Sequence, residues 1–317
     1  MTDLMKFALR RVGQSVAVVW GIITLVFLLR FLTPIDPATL VAPDDATPAL
    51  IEQIRQDLGL TDPIIVQYFR YLSEVARGDL GFSYGSGVHV NELIVNALPA
   101  TLELAFASLI FAVIFSIPLG VLSAKKRGTN TDAATNVISL GGLSTPNFWL
   151  GIMLILLVPV QLGVLPTGGR VAPTESLLEW TKHMILPTVA LGTYFMALLF
   201  RMTRNNVIEE LNKEYVRAAR AKGLPENIIT VRYVLQNSMA PVITVAGLQL
   251  GLLIGGSVVV EAVFNWPGLG SLFIQALNTA DWPIMQGILI VVGIGYVSIN
   301  ILVDILNAKL NPQVNLS

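Results

Sequence analysis

The sequence has 317 residues, of which 54% are hydrophobic and 13% are charged, and its mean hydropathy is +0.69. Soluble globular domains carry about 25% charged residues, so this composition excludes a soluble domain and indicates a membrane protein. The sequence contains no cysteine, which excludes disulfides, thiolate metal sites and cysteine nucleophiles.

Six stretches are apolar and long enough to cross a hydrocarbon layer of ~30 Å as helices. They are residues 12–32, 102–123, 137–160, 185–200, 242–263 and 284–305. The first follows Arg10 and Arg11, and we interpret it as a retained helix because no small-residue cleavage pattern comes after it. The fourth contains Pro187 and Gly192, which predict a late start or a bend. No stretch shows the period-2 alternation of a membrane β-barrel.

The distribution of basic residues predicts the orientation. With the N-terminus inside, fourteen of the 20 Lys and Arg residues lie in the cytoplasm, and the basic residues of the long loop count for little. The predicted fold is therefore an all-α membrane protein with six transmembrane helices and with cytoplasmic N- and C-termini. Its predicted regions are 1–32 (N-terminus and first helix), 33–96 (outer helical loop), 97–306 (helices two to six, with a cytoplasmic loop at 201–237) and 307–317 (cytoplasmic tail).

The long outer loop is predicted to fold. Apolar residues recur at helical spacing in 49–60 and 64–75, and Gly59 and Pro63 separate the two segments. This pattern indicates a small helical subdomain on the outer face. It is either a platform for an external partner or a cap on the helix bundle, and the sequence does not choose between them.

Catalytic and cofactor motifs are missing from the sequence. It contains no phosphate-binding G-x-x-x-x-G-K-[ST] loop, and His89 and His183 have no carboxylate at metal-ligand spacing. We therefore expect no catalytic residue, no metal site, no bound cofactor and no nucleic-acid partner. Four charged residues lie in or beside the predicted spans, namely Arg30, Glu103, Glu261 and Asp304. All four are near span ends, where we expect their charges to reach water. A proton-coupled carrier needs an ionisable group near the middle of a span, so this distribution disfavours such a carrier without excluding it.

The most informative segment is the cytoplasmic stretch 212–225. Good helix formers fill 214–222, Gly223 is a natural helix stop, and Pro225 cannot continue the same helix, so a second helix is expected over 226–235. Ala218 and Ala219 are small enough for another protein to approach closely. Charged side chains at the rim are Glu214, Arg217 and Arg220. The alternative is a basic surface helix held against anionic lipid.

The Ala218-Ala219-x-x-x-Gly223 element resembles the EAA loop of ABC importer permeases, and 215–225 resembles the dipeptide/oligopeptide branch. The sequence departs from the broad pattern in two places: Arg217 stands where the pattern has Glu before the two alanines, and the terminal I-x-L-P reads Tyr233-Val-Leu-Gln236. The resemblance extends over nearly the whole chain, on these further segments: 30–37 (RFLTPIDP), 58–63 (LGLTDP), 67–68 (QY), 78–81 (GDLG), 98–104 (LPATLEL) and 264–270 (FNWPGLG).

This resemblance implies the first of two permeases in a heteromeric importer in a bacterial inner membrane. It implies a second homologous permease, two ATP-binding subunits that use ATP and Mg, a periplasmic or lipid-anchored substrate-binding protein, and membrane lipid around the spans. It implies that the transporter imports peptides. The alternative substrates within the same family are nickel chelates, glutathione and opines. The resemblance also implies that a coupling helix docks on the ATPase, and the residues concerned are Glu214, Tyr215, Arg217, Ala218, Ala219, Arg220, Gly223 and Leu224.

A glycine ladder marks the fifth span. Gly247, Gly251 and Gly255 recur every four residues on one helix face, which permits close backbone approach by another helix. The face either meets the partner permease or packs within this chain, and we slightly favour packing within the chain.

Overall fold

The computed structural model describes residues 2–32, 36–43, 45–83 and 85–310. The predicted tail 307–317 lies largely outside the described residues. Helix α1 spans Thr2–Leu29, and a short 3₁₀ turn, Arg30–Leu32, follows it. The next elements are α2 (Pro37–Val41), α3 (Pro48–Asp57), α4 (Ile64–Ala76), and the strands β1 (Phe82–Ser83) and β2 (Val88–His89), which pair antiparallel.

The remaining elements are helical. They are α5 (Val90–Lys125), α6 (Asn130–Ser144), α7 (Asn147–Ile155), α8 (Leu177–Leu211), α9 (Glu214–Ala221), α10 (Glu226–Ile228), α11 (Gln236–Gly256), α12 (Val258–Val263), α13 (Leu269–Asn278) and α14 (Trp282–Leu310). Two π-helical segments, Leu156–Gln161 and Ile229–Leu235, extend α7 and join α10 to α11.

Five helices of the described chain are long and apolar enough to cross a membrane, and there are six if a bent pair of helices is counted as one span. The bent pair is α6 and α7, whose axes differ by 101° at the break around Thr145 and Pro146. Proline cannot donate the backbone hydrogen bond that would continue α6. The predicted third span, 137–160, is therefore broken into two helices. Helix α8, by contrast, continues through Pro187 without ending, and it starts earlier than predicted.

The core of the bundle lies between α5 and α8. The main cluster of buried side chains joins α5, α8 and α11, and Leu104, Leu191 and Leu253 are fully buried in it. Gly120 and Gly192 lie at close contacts of this pair, because an added Cβ would meet Thr203 at 2.8 Å and Phe111 at 2.7 Å. The close α5–α8 packing therefore forms a rigid frame that joins the two ends of the molecule.

The glycine ladder of α11 faces α14 of the same chain. A Cβ added to Gly247 would lie 2.5 Å from Val303, and one added to Gly251 would lie 2.8 Å from Tyr296. At Gly255 the nearest atom, of Val292, would be 3.5 Å away, which is an ordinary contact. The ladder thus brings α11 and α14 together, most closely at its first two positions.

The helical subdomain after α1 consists of α2, α3 and α4, close to the predicted segments. Asp36 and Arg55 join α2 to α3 in an ion pair. Tyr68 of α4 bonds to Thr24 of α1 with 2.8 Å between the hydroxyl oxygens, and this contact fixes α4 against the first span. At the same end, Ser83 of β1 donates to Asp281 just before α14 (2.5 Å).

Candidate functional site

The hairpin formed by α9 and α10 lies at the end of the molecule opposite the helical subdomain. Val216 and Ala219 of α9 are buried against Ala124 at the end of α5 and Val207 near the end of α8. Ile229, just after α10, completes this cluster and is fully buried. A short helix with one apolar stripe is thereby fixed to the two core helices, so the hairpin cannot move independently of them.

The turn of the hairpin depends on Gly223. Its φ is +76°, a left-handed conformation that glycine adopts without strain. The Gly223 N–H donates to the Arg220 carbonyl (2.9 Å), and the Leu224 N–H donates to the Ala219 carbonyl (3.3 Å), which closes the end of α9. Arg220 Nε also donates to Glu226 Oε1 (2.6 Å), which joins α9 to α10. That hydrogen bond raises the pKa of Arg220.

Glu210, at the end of α8, holds the start of the hairpin. Its carboxylate accepts hydrogen bonds from Tyr215 and from Lys213, both at 2.5 Å. The bond to Glu210 raises the pKa of Lys213, and burial together with the bond to Glu210 raises the pKa of Tyr215. Asn237 also donates to the Tyr215 hydroxyl (3.3 Å). These bonds connect the hairpin with α8 before it and α11 after it.

The two alanines of the predicted docking face do not lie on one face. Ala218 is exposed, whereas Ala219 is buried beneath α9. The expectation that both alanines face a partner was therefore wrong for Ala219, which packs three residues after Val216 on the inner stripe. The exposed surface is formed by Glu214, Arg217, Ala218, Arg220 and Gly223, and Tyr215 and Leu224 are partly buried.

A second group of charges ties this end of the bundle together. Arg204 of α8 makes a bidentate ion pair with Asp132 of α6, with Nε–Oδ1 and Nη2–Oδ2 distances of 2.8 and 2.9 Å. Ser123 of α5 donates to the same carboxylate (2.6 Å), and so does the backbone N–H of Gly128 (3.0 Å). Three helices meet at one carboxylate, and sequence reasoning did not identify this cluster.

Glu261 was expected near water, and the structure corrects this expectation. It is fully buried near the opposite end of the bundle. Its carboxylate accepts from Ser257 (2.7 Å), Thr101 (2.9 Å) and the backbone N–H groups of Gly270 (2.7 Å) and Ser271 (3.2 Å). These four hydrogen bonds replace the water that the buried carboxylate has lost, and they hold the start of α13 against α5 and α12.

The other charged residues near span ends have nearby partners or lie in a cavity. Glu103 accepts hydrogen bonds from Arg170 (2.6 and 2.9 Å) and from Trp180 (3.1 Å). The bond to Glu103 raises the pKa of Arg170, which lies in the loop before α8. Asp304 lies 3.4 Å from Arg11. Within the described part of the chain, no group of three or more His, Asp or Glu residues is placed to hold a metal ion.

The architecture is that of an all-α, multi-pass membrane permease. Residues 116–316 match the family described as Binding-protein-dependent transport system inner membrane component, and residues 4–105 match that family's N-terminal region. The chain belongs to this family of ABC transporter permeases. It is a multi-pass inner-membrane protein and not an enzyme, because the ATPase of such a transporter is a separate subunit.

Individual relatives agree along nearly the whole chain. It is 40% identical to the probable D,D-dipeptide transport system permease protein DdpB of Escherichia coli, over 96% of both chains. It is 40% identical to the oligopeptide transport system permease protein AppB of Bacillus subtilis, over 97% of this chain and 98% of AppB. A chain of the inward-facing MetNI methionine ABC transporter has a similar fold, with a TM-score of 0.57, 22% identity and coverage of 69% of this chain and 96% of that chain.

Proposed function

We propose that the chain forms half of the translocation pathway of an ATP-driven peptide importer and receives mechanical work through the α9–α10 hairpin. Support for the peptide class comes from the names of the two relatives. The second half of the pathway is a homologous permease, and an external binding protein delivers the peptide. This chain binds no cofactor, and two partner subunits use ATP and Mg.

The observation that carries the coupling role is the attachment of the hairpin. Val216 and Ala219 pack on α5 and α8, and the Glu210 carboxylate accepts a hydrogen bond from Tyr215. The second arm of the hairpin is continuous with the fifth span, since the helical stretch Glu226–Gly256 includes both. A displacement applied to α9 is therefore transmitted to three spans, whereas a loose loop would absorb it. The exposed side of α9, with Ala218 near its centre, leaves room for the surface of an ATPase.

The orientation belongs to the same proposal. The hairpin end carries Lys125, Lys126 and Arg127 together with the basic residues of 201–232. Basic loops stay in the cytoplasm, so the hairpin and both termini are cytoplasmic and the subdomain of α2 to α4 is on the outer face.

Replacement of Gly223 by valine tests the coupling role. A Cβ at this position meets no atom within 4 Å, so the change alters the backbone of the turn and does not create a clash. In proteoliposomes that contain the whole transporter, we expect Gly223→Val to abolish peptide uptake while ATP hydrolysis continues without it. Uptake and ATPase rates are measured on the same preparation.

Gly87→Val is the matched control. Gly87 lies between β1 and β2 at the opposite end, has a φ of +73° and likewise has no neighbour within 4 Å of an added Cβ. Both variants carry a similar backbone strain, of about 1–2 kcal/mol. We expect Gly87→Val to retain uptake coupled to hydrolysis. Normal coupled uptake by an assembled Gly223→Val transporter, or equal uncoupling by both variants, would refute the role of the hairpin.

A further inference from the structure

The junction of α1 and α4 is built from aromatic side chains. The ring of Phe27 lies 5.3 Å from that of Tyr68 and 5.6 Å from that of Tyr71, measured between centroids. Phe31 contacts Phe27 at 5.3 Å. Tyrosine and tryptophan concentrate at the level of lipid headgroups, and the apolar span of α1 ends at Leu29, within this junction.

A cavity of about 300 Å³ lies in this junction, and two groups in it lack hydrogen-bond partners among the described residues. Arg30, directly after the span, is partly buried and makes no hydrogen bond or ion pair with any described residue. Its guanidinium carbon lies 5.9 Å from the centre of the Phe31 ring, and the nearby Asp36 carboxylate is paired with Arg55. The Tyr71 hydroxyl is buried and has no hydrogen-bond partner in the described part of the chain. Unpaired buried donors are costly, and buried polar groups nearly always have a partner. A guanidinium and a phenol side by side present donors to an oxyanion.

The rim of the cavity carries charge of both signs. Arg70 lines it but is paired with Asp62. Glu74 and Asp79 are exposed at the rim, and His89 is exposed with its ring edge-on to Phe82 (5.3 Å). Carboxylates at the mouth disfavour a ligand that is purely anionic, and they suit one that carries an ammonium group beside its oxyanion.

Apolar side chains flank the cavity on the outside of the bundle. Leu25 and Leu28 of α1 and Phe31 of the turn after it are 60%, 52% and 44% exposed. On α4, Ile65 and Phe69 are 70% and 62% exposed. In a membrane, acyl chains can cover the exposed face of α1, so a ligand with both acyl chains and an oxyanion fits the whole surface.

We propose that this junction is a phospholipid site, in which Arg30 and Tyr71 bind the phosphate and the acyl chains lie along α1. The ammonium of an ethanolamine headgroup lies near Glu74 and Asp79, so the site prefers phosphatidylethanolamine to phosphatidylglycerol. The site anchors the α2–α4 subdomain to the membrane. This inference is independent of the coupling role of the hairpin.

Native mass spectrometry of the full chain, with the subunits that co-purify, measures lipid binding directly. We expect Arg30→Gln to weaken retention of phosphatidylethanolamine about tenfold, the effect of losing a hydrogen bond to a charged group. Tyr71→Phe removes a single oxygen, and we expect about threefold weaker retention. Glu74→Gln with Asp79→Asn is expected to abolish the preference over phosphatidylglycerol.

Arg77→Gln is the control, because Arg77 is an exposed arginine at the end of α4 that does not line the cavity. It is expected to bind lipid as the unaltered chain does. Equal retention of lipid by Arg30→Gln and by the unaltered chain would overturn the proposal. If Arg30→Gln does not fold, the same comparison is made with Tyr71→Phe. Displacement of the lipid by soluble phosphoethanolamine or by a dipeptide at equal concentration would also overturn it, since the site would then bind a free anion.

Discussion

Arg204 and Asp132 form a bidentate ion pair that joins α8 to α6, with N–O distances of 2.8 and 2.9 Å. Seven residues after Arg204, α8 ends at Leu211, and α9 begins three residues later at Glu214. The pair therefore fixes the base of the hairpin to the bent third span, together with the bonds from Ser123 and Gly128 to the same carboxylate. Movement of the hairpin is expected to carry α6 with it.

Loss of this ion pair should destabilise the chain. Asp132→Asn leaves the Arg204 guanidinium largely buried without a counter-charge, and we expect the free energy of unfolding to fall by about 2 kcal/mol. Unfolding in mixed micelles measures the effect. Lys182→Gln breaks the exposed pair with Glu179 and should leave stability unchanged, because solvent screens this pair. Equal stability of Asp132→Asn and the unaltered chain would show that the pair contributes nothing.

Glu261 should be sensitive to every replacement. Glu261→Ala removes the acceptor of four hydrogen bonds in a site without solvent. We expect the free energy of unfolding to fall by about 3–5 kcal/mol. Glu261→Gln turns an amide N–H₂ towards some of these donors, but it keeps one acceptor oxygen. We therefore expect its free energy of unfolding to fall less than that of Glu261→Ala. The exposed Glu209→Gln is the control. Thermal unfolding in detergent ranks the three variants, and an unaltered melting temperature for Glu261→Ala would contradict the assigned bonds.

Alanine substitutions in the glycine ladder are expected to change stability differently at its two ends. Gly247→Ala places a methyl group 2.5 Å from Val303, and we expect a loss of about 1–3 kcal/mol through overpacking. Gly255→Ala meets only an ordinary contact, and the better helix propensity of alanine should make it neutral or stabilising by up to about 1 kcal/mol. The two variants are compared by unfolding in the same detergent. Equal effects would mean that α14 does not limit this face of α11.

Hydropathy and helix-capping patterns predicted much of this structure. The apolar stretches located five spans, and the sequence around Gly223 predicted the hairpin turn, because a glycine stop followed by proline has few other local solutions. The helices over 49–60 and 64–75 agree with α3 and α4 because their apolar spacing is helical. Such features depend on neighbours in sequence.

Features that depend on distant residues were missed. Hydropathy counts apolar residues without direction, so the bend at Pro146 was not recognised although the proline lies within the stretch. Glu261 lies near a span end in sequence, but the backbone of 268–271 folds over its carboxylate. The burial of Ala219 could have been found, because Val216 and Ala219 are three residues apart on one helix face.

Cysteine cross-linking at Ala218 tests the central claim most directly, since the chain has no native cysteine. In sealed vesicles that contain the whole transporter, we predict that Ala218→Cys cross-links to an ATPase subunit and is protected from an impermeant maleimide added outside. Ser86→Cys, which is exposed at the opposite end, should react with the maleimide and should not cross-link to an ATPase. Labelling of Ala218→Cys from outside, or its failure to cross-link in a transporter that is active, would contradict the account.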